Sequence, residues 1–221
     1  METTKVVYLL DSSGSMASYK RSVMNALDEY FAGLSEDGQA YEVSLYQFSN
    51  RWRPRVKTVC TSVPVKAVPK AESFFDPNGG TPLFQSIIDV CNMHKYEKDI
   101  LFVIQTDGME TEHRIHIFVV RDAIANFKTE LNWQFLYLGA NQDAEQVGEQ
   151  LGIGSGNSLT YDANDSEMMA QELRQVTTNH AKSGGAQRND TFAPAKKKRT
   201  VNWVEADHPR GVGGKFIKKS P

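Results

Sequence analysis

The 221-residue sequence contains little cysteine and no long apolar run. Its two cysteines, Cys60 and Cys91, are far apart and lack metal-ligand spacing, so we predict buried free thiols in a reducing, intracellular setting. No stretch approaches the roughly 20 apolar residues that a membrane-spanning helix needs. The N-terminus also lacks a basic segment followed by an apolar one, the pattern of a secretory signal. We therefore expect a cytoplasmic protein with no membrane partner.

The sequence carries almost no net charge, −2, but its charges are unevenly distributed. Residues 1–180 contain 15 basic and 24 acidic residues, whereas residues 181–221 contain 10 basic and 3 acidic residues. This asymmetry predicts an acidic domain over 1–180 and a flexible basic tail over 181–221. The tail includes a basic cluster that could bind nucleic acid or an acidic partner, or could simply be solvated: Lys196, Lys197, Lys198 and Arg199.

Apolar strands alternate with helical patterns along the predicted domain. Residues 5–10, 100–104 and 133–138 are almost continuously apolar, which is typical of parallel strands covered on both faces. Residues 53–65 are rich in β-branched side chains but contain two prolines, which favours an edge strand. Thr81 and Pro82 have the residue types of an N-cap and a first helical position. The alternation predicts an α/β fold with a doubly wound, Rossmann-like, mostly parallel sheet flanked by helices.

Oxygen-bearing side chains lie within a few residues of the ends of two of the apolar strands. Asp11, Ser13 and Ser15 come after the first strand, and Asp107 comes after the strand at 100–104. Thr81 follows a loop with two glycines. Because the carboxyl ends of parallel strands share one edge of a sheet, we expect these residues to meet there. An all-oxygen set with at most two carboxylates suits Mg²⁺ or Mn²⁺ and leaves room for an outside ligand.

Three segments carry a resemblance to a known family: Asp11-x-Ser13-x-Ser15, Gly79-Gly80-Thr81-Pro82-Leu83 and Thr106-Asp107-Gly108. Together, and in this order, they resemble the metal-ion-dependent adhesion site (MIDAS) of von Willebrand factor type A (vWA) domains. Residues 133–153 are also similar to the late strand and helix of small bacterial and phage-type members. The resemblance covers roughly residues 5–180.

The resemblance implies a doubly wound sheet with a divalent cation at its edge. It implies that Asp11, Ser13, Ser15, Thr81 and Asp107 bind the cation directly or through water. It also implies a non-enzymatic protein-binding module, because a partner's Asp or Glu typically completes such a site. Residues 207–216 loosely resemble the tails of phage proteins, which would place the chain in the cytoplasm of a host cell.

The same residues allow simpler structural interpretations. Ser13, Ser15 and Thr81 could merely cap helices, since Ser and Thr are common at helix N-termini. A further group after Asp107 could hold zinc, or could lie exposed at the start of a helix: Glu110, Glu112, His113 and His116.

Two other functions stay open at this point. A Mg²⁺-dependent hydrolase or phosphotransferase could use a strand-end aspartate as phosphoryl acceptor. Against this, Ser13 stands where a second aspartate would be expected, and no Lys or His is placed as an obvious acid or base. A scaffold whose basic tail binds nucleic acid would instead show binding that weakens steeply with salt.

Overall fold

The computed structural model describes residues 3–164 and 166–192. Within them, six strands form one sheet in the order β3-β2-β1-β4-β5-β6. All neighbouring strands are parallel except β2 and β3, which are antiparallel. The strands are β1 (Thr4–Asp11), β2 (Tyr41–Phe48), β3 (Val56–Pro64), β4 (Ile100–Thr106), β5 (Gln134–Ala140) and β6 (Ser158–Tyr161), and the helices are α1 (Lys20–Glu36), α2 (Leu83–Met93), α3 (Ile117–Leu131), α4 (Ala144–Gln150) and α5 (Ser166–Lys182). The doubly wound α/β fold and the edge position of β3 are confirmed.

The apolar strands are buried because helices cover both faces of the sheet. Val6, Tyr8 and Leu10 of β1 pack in a core with α1 and α5. Val7 and Leu9 alternate to the other face and pack in a second core with α2 and α3. This arrangement explains why β1, β4 and β5 are apolar at nearly every position instead of alternating.

The strand order creates a crevice between β1 and β4. These strands are neighbours, with Leu10 opposite Gln105, although two strands and two helices separate them in sequence. Their following helices, α1 and α3, pack on opposite faces, so the loops after the two strands diverge. In open α/β sheets, ligands bind at such a switch point, outside the carboxyl ends of the strands.

The chain remains packed beyond the predicted domain boundary at residue 180. The Arg188 amide donates to Gln134 Oε1 at 2.8 Å, and Gln187 Nε2 donates to the Trp133 carbonyl at 3.1 Å. Phe192 is fully buried, and its amide donates to the Gly156 carbonyl at 2.8 Å. The described start of the predicted tail is therefore held against the domain, not free. The basic cluster at 196–199 lies outside the described residues, and so does Asp165, whose residue type suits an N-cap directly before α5.

The structure also addresses two expectations from composition, one about membrane-spanning helices and one about the two cysteines. Over 3–164 and 166–192, no helix has both the length and the apolar character needed to cross a bilayer. Cys91 is buried and Cys60 is half-buried, both as free thiols, and burial raises the pKa of each.

Phe192→Ala tests the packing of the segment after α5. Removing a fully buried phenylalanine leaves a cavity, so we expect the free energy of unfolding to fall by about 3–5 kcal/mol. Urea unfolding followed by circular dichroism measures the change. Phe118→Ala is the control, since the Phe118 side chain is 54% exposed and its loss should change stability by only about 0.5 kcal/mol. Equal stability of the two variants would contradict the assigned packing.

Candidate metal centre

Asp11 ends β1 as a fully buried carboxylate. Its Oδ1 accepts a hydrogen bond from the Ser13 amide at 2.7 Å. Its Oδ2 accepts one from the Thr106 hydroxyl at 2.5 Å, and Thr106 is the last residue of β4. The carboxylate is therefore held between the ends of the two strands that border the crevice.

Ser13, Ser15 and Asp107 form a chain of contacts beside Asp11. The Ser13 and Ser15 hydroxyl oxygens lie 3.1 Å apart. The Ser15 hydroxyl donates to Asp107 Oδ1 at 2.5 Å. Four of the five predicted site residues thus lie in one hydrogen-bonded cluster that joins the loop after β1 to the loop after β4.

Thr81 reaches the same cluster from a third loop. The Gly79 carbonyl accepts from the Gly14 amide at 2.7 Å, which fixes this loop to the Ser13–Ser15 turn. A Cβ added to Gly108 would lie 2.9 Å from Thr81 Oγ1, so the Thr81 hydroxyl abuts the turn directly after Asp107. Glycine at position 108 is what allows this close approach. The structure therefore brings together all five predicted site residues.

The helix-capping interpretation of these hydroxyls does not fit the structure. Ser13 precedes a short 3-10 turn, but its side chain makes no capping hydrogen bond. The prediction that Thr81 caps α2 is wrong, because the helix begins at Leu83 with Pro82 as its N-cap residue. One amide of the first turn of α2 is bound by a carboxylate from the loop after β4 instead, since the Phe84 amide donates to Glu110 Oε2 at 2.6 Å.

No protein-family model and no curated protein sequence matches the chain, but solved structures do. The vWF domain of the type V pili tip protein Mfa5 from Porphyromonas gingivalis aligns with a TM-score of 0.58 and 10% identity, over 81% of this chain and 96% of that one. A von Willebrand factor type A protein from Catenulispora acidiphila aligns with a TM-score of 0.53 and 17% identity, over 80% and 43%. The fold is that of a vWA domain.

A third matching structure contains a bound metal ion. Proximal thread matrix protein 1 (PTMP1) from the mussel byssus, with a zinc-occupied MIDAS motif, aligns with a TM-score of 0.60 and 14% identity. The alignment covers 78% of this chain and 47% of that one, so the chain spans just under half the length of PTMP1. At these identities the likeness shows the fold alone.

The electrostatics of the cluster favour a bound cation. Burial raises the pKa of Asp11 to about 7, and the hydrogen bonds from Thr106 and Ser13 lower it only in part. The neighbouring Asp107 carboxylate raises the Asp11 pKa further. Two close carboxylates repel each other when both are ionised, and a divalent cation between them removes that cost. Carboxylates and hydroxyls are hard oxygen donors, so the residues present fit Mg²⁺ or Mn²⁺.

Two positioning residues complete the surroundings of the site. Thr106 holds Asp11 and also accepts from the Gly108 amide at 3.0 Å. Gln142 Nε2 donates to the Thr106 carbonyl at 3.0 Å. Thr106 could be recognised from the sequence, because it places a hydroxyl at the end of an apolar strand, directly before Asp107. Gln142 could not be predicted, because its placement depends on the left-handed backbone of Asn141, with φ of 53°.

Three of the four acidic and histidine side chains after Asp107 make structural contacts. Glu110 binds the first turn of α2, as above, and Glu112 forms an ion pair with Arg55 at 2.6 Å. The His116 side chain accepts from the Phe118 amide at the start of α3. Within the described part of the chain, no group of three or more His, Cys, Asp or Glu side chains is arranged to hold a metal. The zinc interpretation is therefore not supported.

Asp11→Asn tests the burial of the strand-end carboxylate. The folded chain holds the Asp11 proton more tightly than the unfolded chain. The protonated Asp11 carboxyl therefore stabilises the fold fully below about pH 4, and this stabilisation is lost as the pH rises through about 7. Asn has no such proton. In EDTA, we expect wild type to lose about 2–3 kcal/mol more unfolding free energy than Asp11→Asn between about pH 5 and pH 8.

Urea titrations at the two pH values measure this difference. Asp122→Asn removes an exposed carboxylate of α3 and should keep the wild-type pH dependence. A wild-type pH dependence in Asp11→Asn as well would show that the Asp11 pKa is not raised by burial.

Proposed function

We propose that this chain is a protein-binding module that engages its partner through a divalent cation. In this proposal Asp11, Ser13, Ser15, Thr81 and Asp107 hold the cation directly or through water. The observation that carries the proposal is the convergence of these five oxygen-bearing side chains, from three loops, at the β1–β4 crevice. Mg²⁺ is the proposed ion, with Mn²⁺ as the alternative.

The chemistry of the set supports a carboxylate as the partner's ligand. Three of the five side chains are neutral hydroxyls, so the protein supplies at most two negative charges to a doubly charged ion. Mg²⁺ sites typically use one or two carboxylates and keep several waters, which an outside oxygen ligand can replace. An Asp or Glu side chain of a partner protein has the charge and the hard oxygens to do so.

The surroundings of Asp11 support binding rather than catalysis. Its hydrogen bonds come from a hydroxyl and a backbone amide, neither of which is an acid or base near neutral pH. Among the vWA-like structures, PTMP1 is a matrix protein and Mfa5 a pilus tip protein. We therefore propose a non-enzymatic role. The proposed binding of nucleic acid or an acidic partner by Lys196–Arg199 rests on sequence alone.

Substitution of the proposed ligands should remove cation binding from the full chain. We expect Mg²⁺ affinity, measured by isothermal titration calorimetry, to fall by about tenfold or more in Asp11→Asn, Ser13→Ala and Thr81→Ala, since even outer groups of metal sites have effects of this size. Thr129→Ala, which removes an exposed hydroxyl of α3, should bind as wild type does. Unchanged affinity in Thr81→Ala and Asp11→Asn would place the cation elsewhere.

Partner binding should require both the cation and an acidic ligand. We expect peptides selected from a displayed random library on the full chain in Mg²⁺ to share an Asp or Glu, and EDTA to release them. Replacing that acid by Asn or Gln should abolish binding, because the neutral amide is a weaker ligand for Mg²⁺. Peptides that stay bound in EDTA, or that lack acids, would contradict the proposal.

A further inference from the structure

A basic ridge lies on one side of the cation site. It consists of Lys20, Arg51, Trp52, Arg53 and Lys57, and its centre is the loop after β2. Phe48 at the end of β2 pairs with Asp11 at the end of β1, so this loop leaves the same edge of the sheet as the site. Arg53 is exposed, the Arg51 side chain is 26% exposed, and Trp52 is half-buried.

The ridge is fixed to the loops that carry the site. Asn50 Oδ1 accepts from the Gly80 amide at 2.7 Å, and the Asn50 amide donates to the Gly80 carbonyl at 3.1 Å. A Cβ added to Gly79 would lie 3.2 Å from the Arg51 amide nitrogen. The same Gly79 accepts from Gly14, between the two site serines. The Gly79–Gly80 loop therefore links the two regions. It is hydrogen-bonded to Gly14, next to the site serines, and to Asn50, the residue before Arg51.

Three cations of the ridge are held by contacts with the Trp52 ring or with backbone carbonyls. The Arg51 guanidinium lies 4.7 Å from the Trp52 ring centroid, and Lys57 Nζ lies 5.8 Å from it. Arg53 Nη1 donates to the Asn50 and Trp52 carbonyls at 2.6 and 2.8 Å. These contacts hold the positive charges in place before any ligand arrives.

The positive charge of the ridge is only partly balanced. Lys20 and Arg51 share one carboxylate, that of Asp76, at 3.3 Å each, and the Asp76 side chain is 73% exposed. Arg53 and Lys57 take part in none of the ion pairs found in the described residues. A surplus of positive charge therefore borders the site.

We propose that the partner segment is polyacidic, with one carboxylate on the cation and further Asp or Glu side chains against Arg51 and Arg53. The proposal rests on the proposed function, because the first carboxylate needs the cation. Charge complementarity favours an acidic peptide here. A single-stranded nucleic acid would need an aromatic face on which to stack its bases, but the Trp52 ring is already covered by Arg51.

Two capped glycine-rich peptides test the proposal, one with a single aspartate and one with two more aspartates beside it. Affinities for the ¹⁵N-labelled full chain are measured by NMR titration in Mg²⁺ at low salt. We expect the triply acidic peptide to bind about three- to tenfold more tightly, which is the range for exposed charge pairs. Arg51→Gln should reduce this gain, and Asp76→Asn should increase it, because it frees Lys20 and Arg51.

Lys98→Gln is the matched control, since Lys98 is an exposed cation just before β4, at the opposite edge of the sheet. It should leave the gain unchanged. No gain from the added acids, or the same gain in Arg51→Gln and Asp76→Asn, would overturn the polyacidic partner. Tighter binding of a short oligothymidylate than of the acidic peptide would overturn it in favour of nucleic acid. Peptide binding that persists in EDTA would instead contradict the cation-dependent function itself.

Discussion

The burial of the Asp11 carboxylate is the constraint on which the rest of this structure depends. An ionised carboxylate taken out of water costs several kcal/mol unless other groups compensate it. Here the Thr106 hydroxyl and the Ser13 amide donate hydrogen bonds to the Asp11 carboxylate, yet burial still raises the pKa of Asp11 to about 7. Hydrogen bonds therefore offset only part of the cost, and a divalent cation is the group that would offset the rest.

The sheet topology explains why three loops can converge on this carboxylate. β1 and β4 are neighbours whose following helices lie on opposite faces, so their loops open a crevice in which Asp11 and Asp107 both lie. The loop that carries Thr81 is then held there by backbone hydrogen bonds to Gly14 and Ser12. The loop after β2 joins the same network and places Arg51 at the rim. The cation site and the basic ridge therefore lie on loops that hydrogen-bond to one another at the same end of the sheet.

Much of the site could be predicted from sequence, because strand ends are easy to recognise where the strands are continuously apolar. Asp11 directly follows such a run, Asp107 comes three residues after the end of another, and parallel pairing brings both to the same end of the sheet. The role of Thr81 is harder to predict from sequence, since a Thr-Pro pair before an apolar run is also typical of a helix start. The side chain that binds the start of α2 is Glu110. It lies 26 residues after Phe84, whose amide donates to it, so the local sequence does not indicate this contact. The packing of Phe192 could not be predicted, because the glycine- and lysine-containing residues before it resemble a linker.

Cation binding at the β1–β4 crevice is tested most directly by a crystal structure of the full chain grown with Mn²⁺, with diffraction data collected at the manganese absorption edge. We expect an anomalous difference peak bordered by Asp11, Ser13, Ser15, Thr81 and Asp107, with water or an acidic side chain of a neighbouring molecule completing the coordination. A map without a peak at the β1–β4 crevice, or with its peak at other residues, would contradict it.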